Sequence, residues 1–280
     1  MLRRLVAPTA AAWLLIRVFP SRAGAPARRN TAALVWHQVR YEQLSFWRNP
    51  QSAFFNFAFP LVFFAILAGV FGNATLARIG GRPVTGLQYY TSTIVAVSVM
   101  GACYSQLAIT LSQRRQDGIL KRLRGTPLPA WVMFAGLLAH CIMVSLVDAV
   151  LIVVMGLLYG VPVPTHWAAI IVTLIIGAAA FCALGVAVAS LISNAEAAPA
   201  VVQFVFFPLV FISGTYFQIT SRFLNDLAGI FPVRPFNQAL LNPFALDRGF
   251  AGRQLLVLAI WGVAGSFVAI RRFRWDPRPE

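Results

Sequence analysis

Charged residues are scarce in this sequence. They make up 11% of its 280 residues, whereas about a quarter of the residues in a typical soluble domain are charged. A soluble domain of this size would need far more polar surface, so the composition excludes that class of protein. Several apolar segments reach the length of about 20 residues that a helix needs to cross a bilayer. The sequence therefore predicts an all-α polytopic membrane protein.

Several catalytic and cofactor-binding motifs are also missing. The only lysine, Lys121, is not preceded by the glycines of a phosphate-binding loop, so we expect no ATP hydrolysis by this chain. HExxH, GxSxG and CxxC patterns do not occur, and three scattered histidines do not suggest a metal site. The three cysteines fall in apolar stretches and are interpreted as packing residues. We therefore expect no catalytic residue, no metal and no cofactor bound by this chain.

Six apolar segments are candidate transmembrane helices within a domain that covers residues 50–272. Before the last of them, residues 219–252 are apolar but broken by prolines. That stretch predicts short helices re-entering the outer leaflet, and an extracellular cap with no transport role is the alternative. The six predicted spans cover residues 53–72, 89–112, 130–159, 167–192, 199–218 and 253–270.

The ends of the chain carry much of its positive charge. Residues 1–30 are rich in arginine and predict a cytoplasmic tail in preference to a cleaved signal peptide. Residues 273–280 predict a second cytoplasmic tail. Residues 31–49 do not form a spanning run, and they predict an interfacial helix marked by Trp36, Arg40 and Trp47, of which the two tryptophans suit the head-group layer.

The distribution of cations predicts the orientation in the membrane. If the amino terminus is cytoplasmic, 17 of the 23 cations lie in inner segments and 6 in outer segments. Such an excess of positive charge is typical of cytoplasmic loops. We therefore predict that both termini are cytoplasmic, and we interpret the net charge of +15 as topology rather than nucleic-acid binding.

A basic stretch between the second and third predicted spans, "RRQDGILKRLRGTPLP" at residues 114–129, contains more than charge. If residues 112–124 form one helix, Asp117 and Lys121 make a favourable i,i+4 pair. Positive-inside charge attracted to anionic lipid is the alternative interpretation. The pattern predicts a short amphipathic helix whose apolar stripe and stop are formed by Ile119, Leu120, Leu123, Gly125 and Pro127.

This stretch resembles the cytoplasmic signature of permeases of the type-2 family of ATP-binding-cassette (ABC) exporters, which include daunorubicin-resistance-like permeases. That signature has a basic start, an acidic residue followed by glycine, a hydrophobic and basic middle, and a proline. Asp117 stands where the family often has glutamate. "FFPLVFISGTYF" at 206–217 and "IFPVRPFNQAL" at 230–240 are similar to the family's fifth span and re-entrant stretch. The resemblance covers about residues 31–272.

In the re-entrant part the resemblance picks out Ser213, Gly214, Pro232 and Pro235. The family often has a further proline just before this stretch, where Asn225 and Asp226 stand here.

The resemblance implies the permease subunit of an ATP-driven exporter in the bacterial plasma membrane. Such a subunit moves an amphiphilic drug, lipid or glycan-lipid outward from the cytoplasm or inner leaflet. It implies two partners besides membrane lipid: a cassette ATPase that binds ATP and magnesium, and a second permease copy or sister permease. The residues that it implies for docking the ATPase are Arg114, Arg115, Asp117, Gly118, Leu120, Lys121, Arg122, Leu123, Arg124 and Pro127.

Two polar residues, His140 and Asp148, lie within the third predicted span. An ionised side chain at that depth costs about 2.5–3.5 kcal/mol. Asp148 is interpreted either as a residue of the substrate or proton path, with His140, or as a hydrogen-bonded residue that holds helices together. An intramembrane enzyme or a proton-coupled secondary carrier that uses Asp148 is the alternative function, disfavoured because no second carboxylate partner and no inverted repeat are evident.

Overall fold

The computed structural model describes residues 31–72, 74–79, 82–125, 128–215 and 222–273. The predicted tail 1–30 and all but the first residue of the predicted tail 273–280 lie outside these ranges. In chain order the elements are α1 (Thr31–Trp47), α2 (Pro50–Phe71), β1 (Thr75–Ile79), β2 (Arg82–Thr85), α3 (Gly86–Met100), the π-helical segment π1 (Gly101–Gln106), α4 (Leu107–Gln116), α5 (Ile119–Arg124), α6 (Ala130–Leu158), α7 (Trp167–Leu191), α8 (Ala198–Ile212), α9 (Arg222–Ile230), α10 (Val233–Leu241), the π-helical segment π2 (Asn242–Leu246) and α11 (Gly252–Arg272).

Five helical stretches in the described part of the chain are long and apolar enough to cross a membrane. They are α2, the continuous run of α3, π1 and α4, and then α6, α7 and α11. Their ends agree with five of the six predicted spans to within a few residues. The fifth predicted span, 199–218, overlaps α8, which has 15 residues and so a length of about 22 Å. The bilayer core is about 30 Å thick, so α8 alone is too short to cross it. Five of the six predicted spans are therefore confirmed, and the fifth in chain order stays a prediction.

A short antiparallel hairpin of β1 and β2 follows α2, and the sequence patterns do not predict it. The cap of α3 explains why the hairpin ends at Thr85. The Thr85 hydroxyl accepts from the Gln88 backbone, and the Gln88 side chain accepts from the Thr85 backbone, which is a capping box. Arg82 ties the hairpin to π2, because its Nη1 donates to the Leu246 carbonyl at 2.9 Å.

The run of α3, π1 and α4 forms the centre of the fold together with α7, and both are largely buried. In contrast, α2 and α11 lie at the outside of the helical bundle and leave most of their apolar side chains uncovered. A bilayer solvates such apolar surface, whereas water does not. Exposed large side chains on these outer helices include Phe54, Phe55, Phe59, Ile66, Leu256, Ile260 and Val263.

Two close helix contacts depend on residues without bulky side chains. A Cβ added at Gly185 of α7 would lie 2.9 Å from the Cys103 carbonyl oxygen and 3.0 Å from that of Tyr104, both in π1. A Cβ added at Gly265 of α11 would lie 3.0 Å from the backbone of Ala183. Small residues allow backbones in membrane helices to approach closely, so these glycines set the position of α7 against its two neighbours.

All three cysteines are free and buried, as the interpretation of them as packing residues predicts. The Cys103 sulfur lies 3.2 Å from the hydroxyl of Ser145 on α6. Ser145 also donates to the Cys141 carbonyl one turn earlier. The cysteines therefore contribute to the contacts between π1, α6 and α7.

Candidate functional site

The basic stretch folds as two helices separated by a turn. Asp117 is the C-cap of α4, and Gly118 adopts a left-handed conformation with φ 68° before α5 begins. Glycine suits this position because a Cβ disfavours that region of backbone space. The prediction of a single helix over residues 112–124 is therefore wrong, and Asp117 and Lys121 do not face each other along one helix. The predicted stop is confirmed, since α5 ends with Gly125 as its C-cap.

Arg114, in the last turn of α4, binds Glu42 of α1. Its Nη1 and Nη2 donate to Oε1 and Oε2 of Glu42 at 2.8 and 2.7 Å, which is the strong bidentate geometry. The side chain of Glu42 is 2% exposed and that of Arg114 is 20% exposed. Gln38 adds a third hydrogen bond to Glu42 at 3.1 Å. This buried cluster fixes α1 to the end of α4.

Arg115 and Gln116 attach the same end of α4 to the connection between α7 and α8. Arg115 is 3% exposed and donates to the carbonyls of Ala189 and Ile192 at 3.0 and 2.5 Å. These carbonyls lie at the C-terminus of α7, where a cation is favoured by the helix dipole. Gln116 accepts from the backbone N–H of Ala195 at 2.7 Å. The end of α4, at Arg114, Arg115 and Gln116, is thus a joint that is hydrogen-bonded both to α1 and to the α7–α8 connection.

α5 presents one face to the fold and another to solvent. Leu120 is 1% exposed and belongs to the hydrophobic core, and Leu123 packs against that core. Ile119, Lys121 and Arg122 are exposed. Because the two leucines fix the buried face, the apolar residue and the two cations are held at the surface.

The structure therefore separates the ten residues implied in docking. Arg114, Arg115 and Leu120 have their side chains inside the fold, so they position the surface and do not form it. Pro127 lies outside the described residues, and the side chain of Arg124 is outside the described burial. The residues of the implied set that lie at the surface beside the turn are Asp117, Lys121 and Arg122.

Sequence reasoning missed Glu42, Gln116 and the α7–α8 connection as parts of this joint. Glu42 interrupts the apolar face that Val35, Val39 and Phe46 form on α1, and a carboxylate in that position signals a buried cationic partner. That signal is readable in the sequence, but the identity of the partner is not, since Arg114 is 72 residues away. Gln116 carries no comparable signal, because its partner is a backbone amide.

α1 packs along α6 and exposes its indole side chains. Trp36 and Trp47 are 65% and 55% exposed, and Arg40 is also exposed. Trp47 stacks on Phe57 of α2 at a centroid distance of 5.7 Å. Contact with α6 is close at Gly136, where an added Cβ would lie 2.4 Å from the side chain of Gln38. The bounds of α1, Thr31–Trp47, match the predicted helix 31–49.

His140 and Asp148 are not brought together. His140 contacts Phe46 of α1 with ring centroids 5.4 Å apart, whereas Asp148 is 1% exposed and faces Ser98 of α3. The Oδ1 atom of Asp148 has no hydrogen-bond partner within the described part of the chain. Among the described residues no group of three or more His, Cys, Asp or Glu side chains is arranged to hold a metal ion.

The turn that follows α8 and the middle of α10 meet in a buried polar cluster. Asn237 Nδ2 donates to the hydroxyls of Thr215 and Ser213 at 2.5 and 3.3 Å, and those hydroxyls lie 2.6 Å apart. Tyr89 of α3 donates to the carbonyl of Gly214. Ser213 and Gly214 thus contact α10 and α3, which the sequence did not predict in detail.

Two helices of nine residues each, α9 and α10, form the segment that was predicted to re-enter the membrane. Pro232 and Pro235 are both buried at the start of α10. Arg234 lies between the two prolines in sequence and is half-buried. Nine residues span about 14 Å, so neither helix crosses a bilayer alone.

The family model of the ABC-2 type transporter matches residues 33–244. The match runs from α1 to π2 and includes the α4–α5 turn, α8 and the α9–α10 segment. It covers well over half of the chain. A search of the curated proteins finds no match.

Proposed function

The chain belongs to the ABC-2 type transporter family, and from that premise we propose that it is the permease of an exporter driven by a separate cassette ATPase. Members of this family are membrane components of transport rather than catalytic subunits. In the proposed exporter the partner binds ATP and magnesium, and this chain carries the substrate path. The substrate is an amphiphile, such as a drug, a lipid or a glycan-lipid, moved outward from the cytoplasm or inner leaflet.

The observation that carries this proposal is the surface of α5. Ile119, Lys121 and Arg122 are exposed on a six-residue helix that stands on the α4 joint. A soluble partner that presses on this surface displaces α5 and the end of α4 together, because Leu120 is anchored in the core. Arg114 and Arg115 then pass the displacement to α1 and to the α7–α8 connection through the hydrogen bonds described above.

In the proposed topology both termini are cytoplasmic and the chain crosses the plasma membrane of a bacterium six times. α8 contributes the fifth crossing, and it is the shortest of the six because it ends where Gly214 adopts φ 77°. α9 and α10 re-enter the outer leaflet, and the hydrogen bonds of the Asn237 amide nitrogen pair the hydroxyls of Ser213 and Thr215 there. α1 lies in the inner interface with Trp36 and Trp47 at the head-group level.

A second permease, as a copy of this chain or a sister chain, completes the substrate path in this proposal. The apolar faces of α2, α8 and α11 are uncovered. Lipid covers part of this surface, and the second permease covers the rest. An enzyme or proton-coupled carrier built on Asp148 is the weaker alternative, because Asp148 faces a serine in this fold.

Co-purification with a cassette ATPase, followed by transport into vesicles with and without ATP, tests the proposal. We expect association and ATP-dependent transport, and transport by this chain alone would contradict the function. Replacing Lys121 and Arg122 by glutamate should weaken ATPase binding by about tenfold or more, as expected for loss of surface charge pairing at a docking site. Arg248→Glu, an exposed cation of the loop before α11, is the matched control and should bind normally.

A further inference from the structure

One face of α1 combines exposed aromatic and basic side chains. At about 100° per residue, seven of the exposed residues from Trp36 to Arg48 fall within an arc of about 140°. Gln38, Val39 and Glu42 lie on the opposite side of the helix and are buried. Two tryptophans stand at one edge of the arc and a tyrosine at the other, with two arginines between them. This set is called the outward face of α1, and in order around the helix it consists of Trp36, Trp47, Arg40, Leu44, His37, Arg48 and Tyr41.

The two arginines of this face are available to an external ligand. Arg40 and Arg48 are exposed, and neither guanidinium forms a hydrogen bond or an ion pair within the described part of the chain. Arg48 follows α1, but its backbone N–H donates to the Leu44 carbonyl at 3.0 Å and so continues the helical turn. Glu42 is the acidic residue of α1, and it is buried and paired with Arg114. The outward face therefore carries positive charge that no carboxylate of α1 neutralises.

The aromatic residues of this face are of the types that anchor proteins at a membrane surface. Trp36, Tyr41 and Trp47 are 65%, 59% and 55% exposed, and Leu44 beside them is 53% exposed. Tryptophan and tyrosine have an apolar ring with a polar tip, which suits the boundary between head groups and acyl chains. Exposed apolar patches with a polar rim mark protein or membrane contacts, and the two indoles favour the membrane.

The outward face adjoins the apolar outer surface of α2. Trp47 stacks on Phe57 of α2 with ring centroids 5.7 Å apart, and Phe54, one turn before Phe57, is 65% exposed. A lipid whose chains cover α2 near Phe54 therefore has its head group at the level of α1. Arg40 and Arg48 lie on the same face of α1 as Trp47, so both guanidiniums meet this layer of head groups.

The charge of the face discriminates between phospholipids. A guanidinium donates paired hydrogen bonds to phosphate oxygens, and phosphatidylcholine and phosphatidylglycerol both carry a phosphate. Phosphatidylcholine also carries a quaternary ammonium, which two arginines repel, whereas the rest of the phosphatidylglycerol head group is neutral. Each cation near an anionic membrane surface raises the affinity about fivefold. The face therefore favours an anionic phospholipid over a zwitterionic one.

We infer that the outward face of α1 is a binding surface for anionic phospholipid. The inference goes beyond the proposed function and rests on it only for the position of α1 at the inner interface. The buried side of α1 is fixed to the end of α4 through Glu42, which binds Arg114 and Gln38. Lipid bound to the outward side thereby holds the end of α4 at the level of the head groups.

Photolabelling of the full chain in phosphatidylcholine nanodiscs tests the inference. Two trace probes carry the same diazirine near the start of one acyl chain, and they differ only in having a phosphatidylglycerol or a phosphatidylcholine head group. Mass spectrometry of the peptide that contains the outward face gives the ratio of the two labels. We expect a ratio well above one, a fall of about fivefold in Arg40→Gln and in Arg48→Gln, and a further fall toward one in the double variant.

Two pairs of substitutions separate charge from other effects. Arg40→Lys/Arg48→Lys retains both charges and should retain most of the preference for phosphatidylglycerol. Arg248→Gln/Arg253→Gln removes two exposed cations that lie at the outer side in the proposed topology, and it should leave the ratio at α1 unchanged. A loss of folding or insertion lowers both labels on the peptide, so it does not imitate a loss of selectivity.

The outcomes that overturn the inference are distinct from those that contradict the proposed function. A ratio of one in the native chain, or an unchanged ratio in the double glutamine variant, overturns the inference. So does the absence of both labels, which shows that a second copy of the chain covers the face, or their disappearance when the cassette ATPase is added. Selective labelling without ATPase association contradicts only the proposed function, whereas ATPase association in detergent without selective labelling contradicts only this inference.

Discussion

The Glu42–Arg114 pair should hold α1 on the transmembrane helices. Removing one partner of a buried ion pair costs about 3–5 kcal/mol, because a charge is left without compensation. In Glu42→Gln the remaining guanidinium is 20% exposed, so we expect a loss near 3 kcal/mol. In Arg114→Gln the remaining carboxylate is 2% exposed, and we expect a loss near 5 kcal/mol.

The double variant Glu42→Gln/Arg114→Gln should lose less stability than the sum of the two single variants. Two neutral amides hydrogen-bond to each other and leave no buried charge, so we expect a coupling energy of about 2–3 kcal/mol. The free energy of unfolding is measured by denaturant titration in mixed micelles, with helix content followed by circular dichroism. Asp247→Asn, which alters the exposed His166–Asp247 pair, is the control and should change stability by less than about 0.5 kcal/mol.

A coupling energy near zero would refute the reasoning, because the two side chains would then contribute independently. A charge exchange, Glu42→Arg/Arg114→Glu, provides a second check. It should recover part of the stability lost by either single variant, since the opposite charges again face each other. Recovery of stability without recovery of ATPase-driven transport would show that the orientation of the pair matters for coupling.

Three further predictions concern single residues. Arg115→Met should destabilise the chain by about 2–4 kcal/mol in the same titration, because it leaves the carbonyls at the end of α7 unpaired; a change under about 0.5 kcal/mol would contradict the capping role. Gly185→Ala should cost about 1–3 kcal/mol through overpacking against π1, whereas Gly69→Ala, where nothing lies within 4 Å, should be neutral or slightly stabilising. Asp148→Asn should keep vesicle export and thermal stability, because an amide fits the same buried space without a charge; loss of export by a folded, ATPase-bound variant would instead favour a substrate or proton role.

The sequence pattern was sufficient to predict those helices and helix ends that depend only on residues close together along the chain. Five apolar runs predicted five transmembrane helices, because a helix that satisfies its own backbone in a bilayer needs only apolar length. Gly125 marked the end of α5 for a similarly local reason. Gly118 also indicates a possible helix end, but the residues around it favour helix and led to the prediction of one continuous helix. In the structure Gly118 adopts a left-handed conformation and ends that continuity.

Contacts between segments that are distant in the sequence could not be predicted from sequence patterns. The sequence indicates that Arg114 and Arg115 are cations in an inner loop, and it does not reveal that both point into the protein. Likewise π1 looks in the sequence like any other part of an apolar helix, and only the structure shows its π-helical geometry and its contacts with α6 and α7. A cavity beside His140 is lined by residues of α1, α2, α4 and α6 and has no counterpart in any single stretch of sequence.

By itself the sequence determined the class of protein, the approximate extent of five of its helices and the resemblance to a family of exporter permeases, and it predicts an excess of positive charge on the cytoplasmic side. These depend on composition and on residues close to each other along the chain. Only the tertiary structure decided which of the basic residues form a surface and which form a joint. The physical reason is that burial and pairing of a charge depend on the groups that other helices bring within 3 Å of it, and those groups are set by packing.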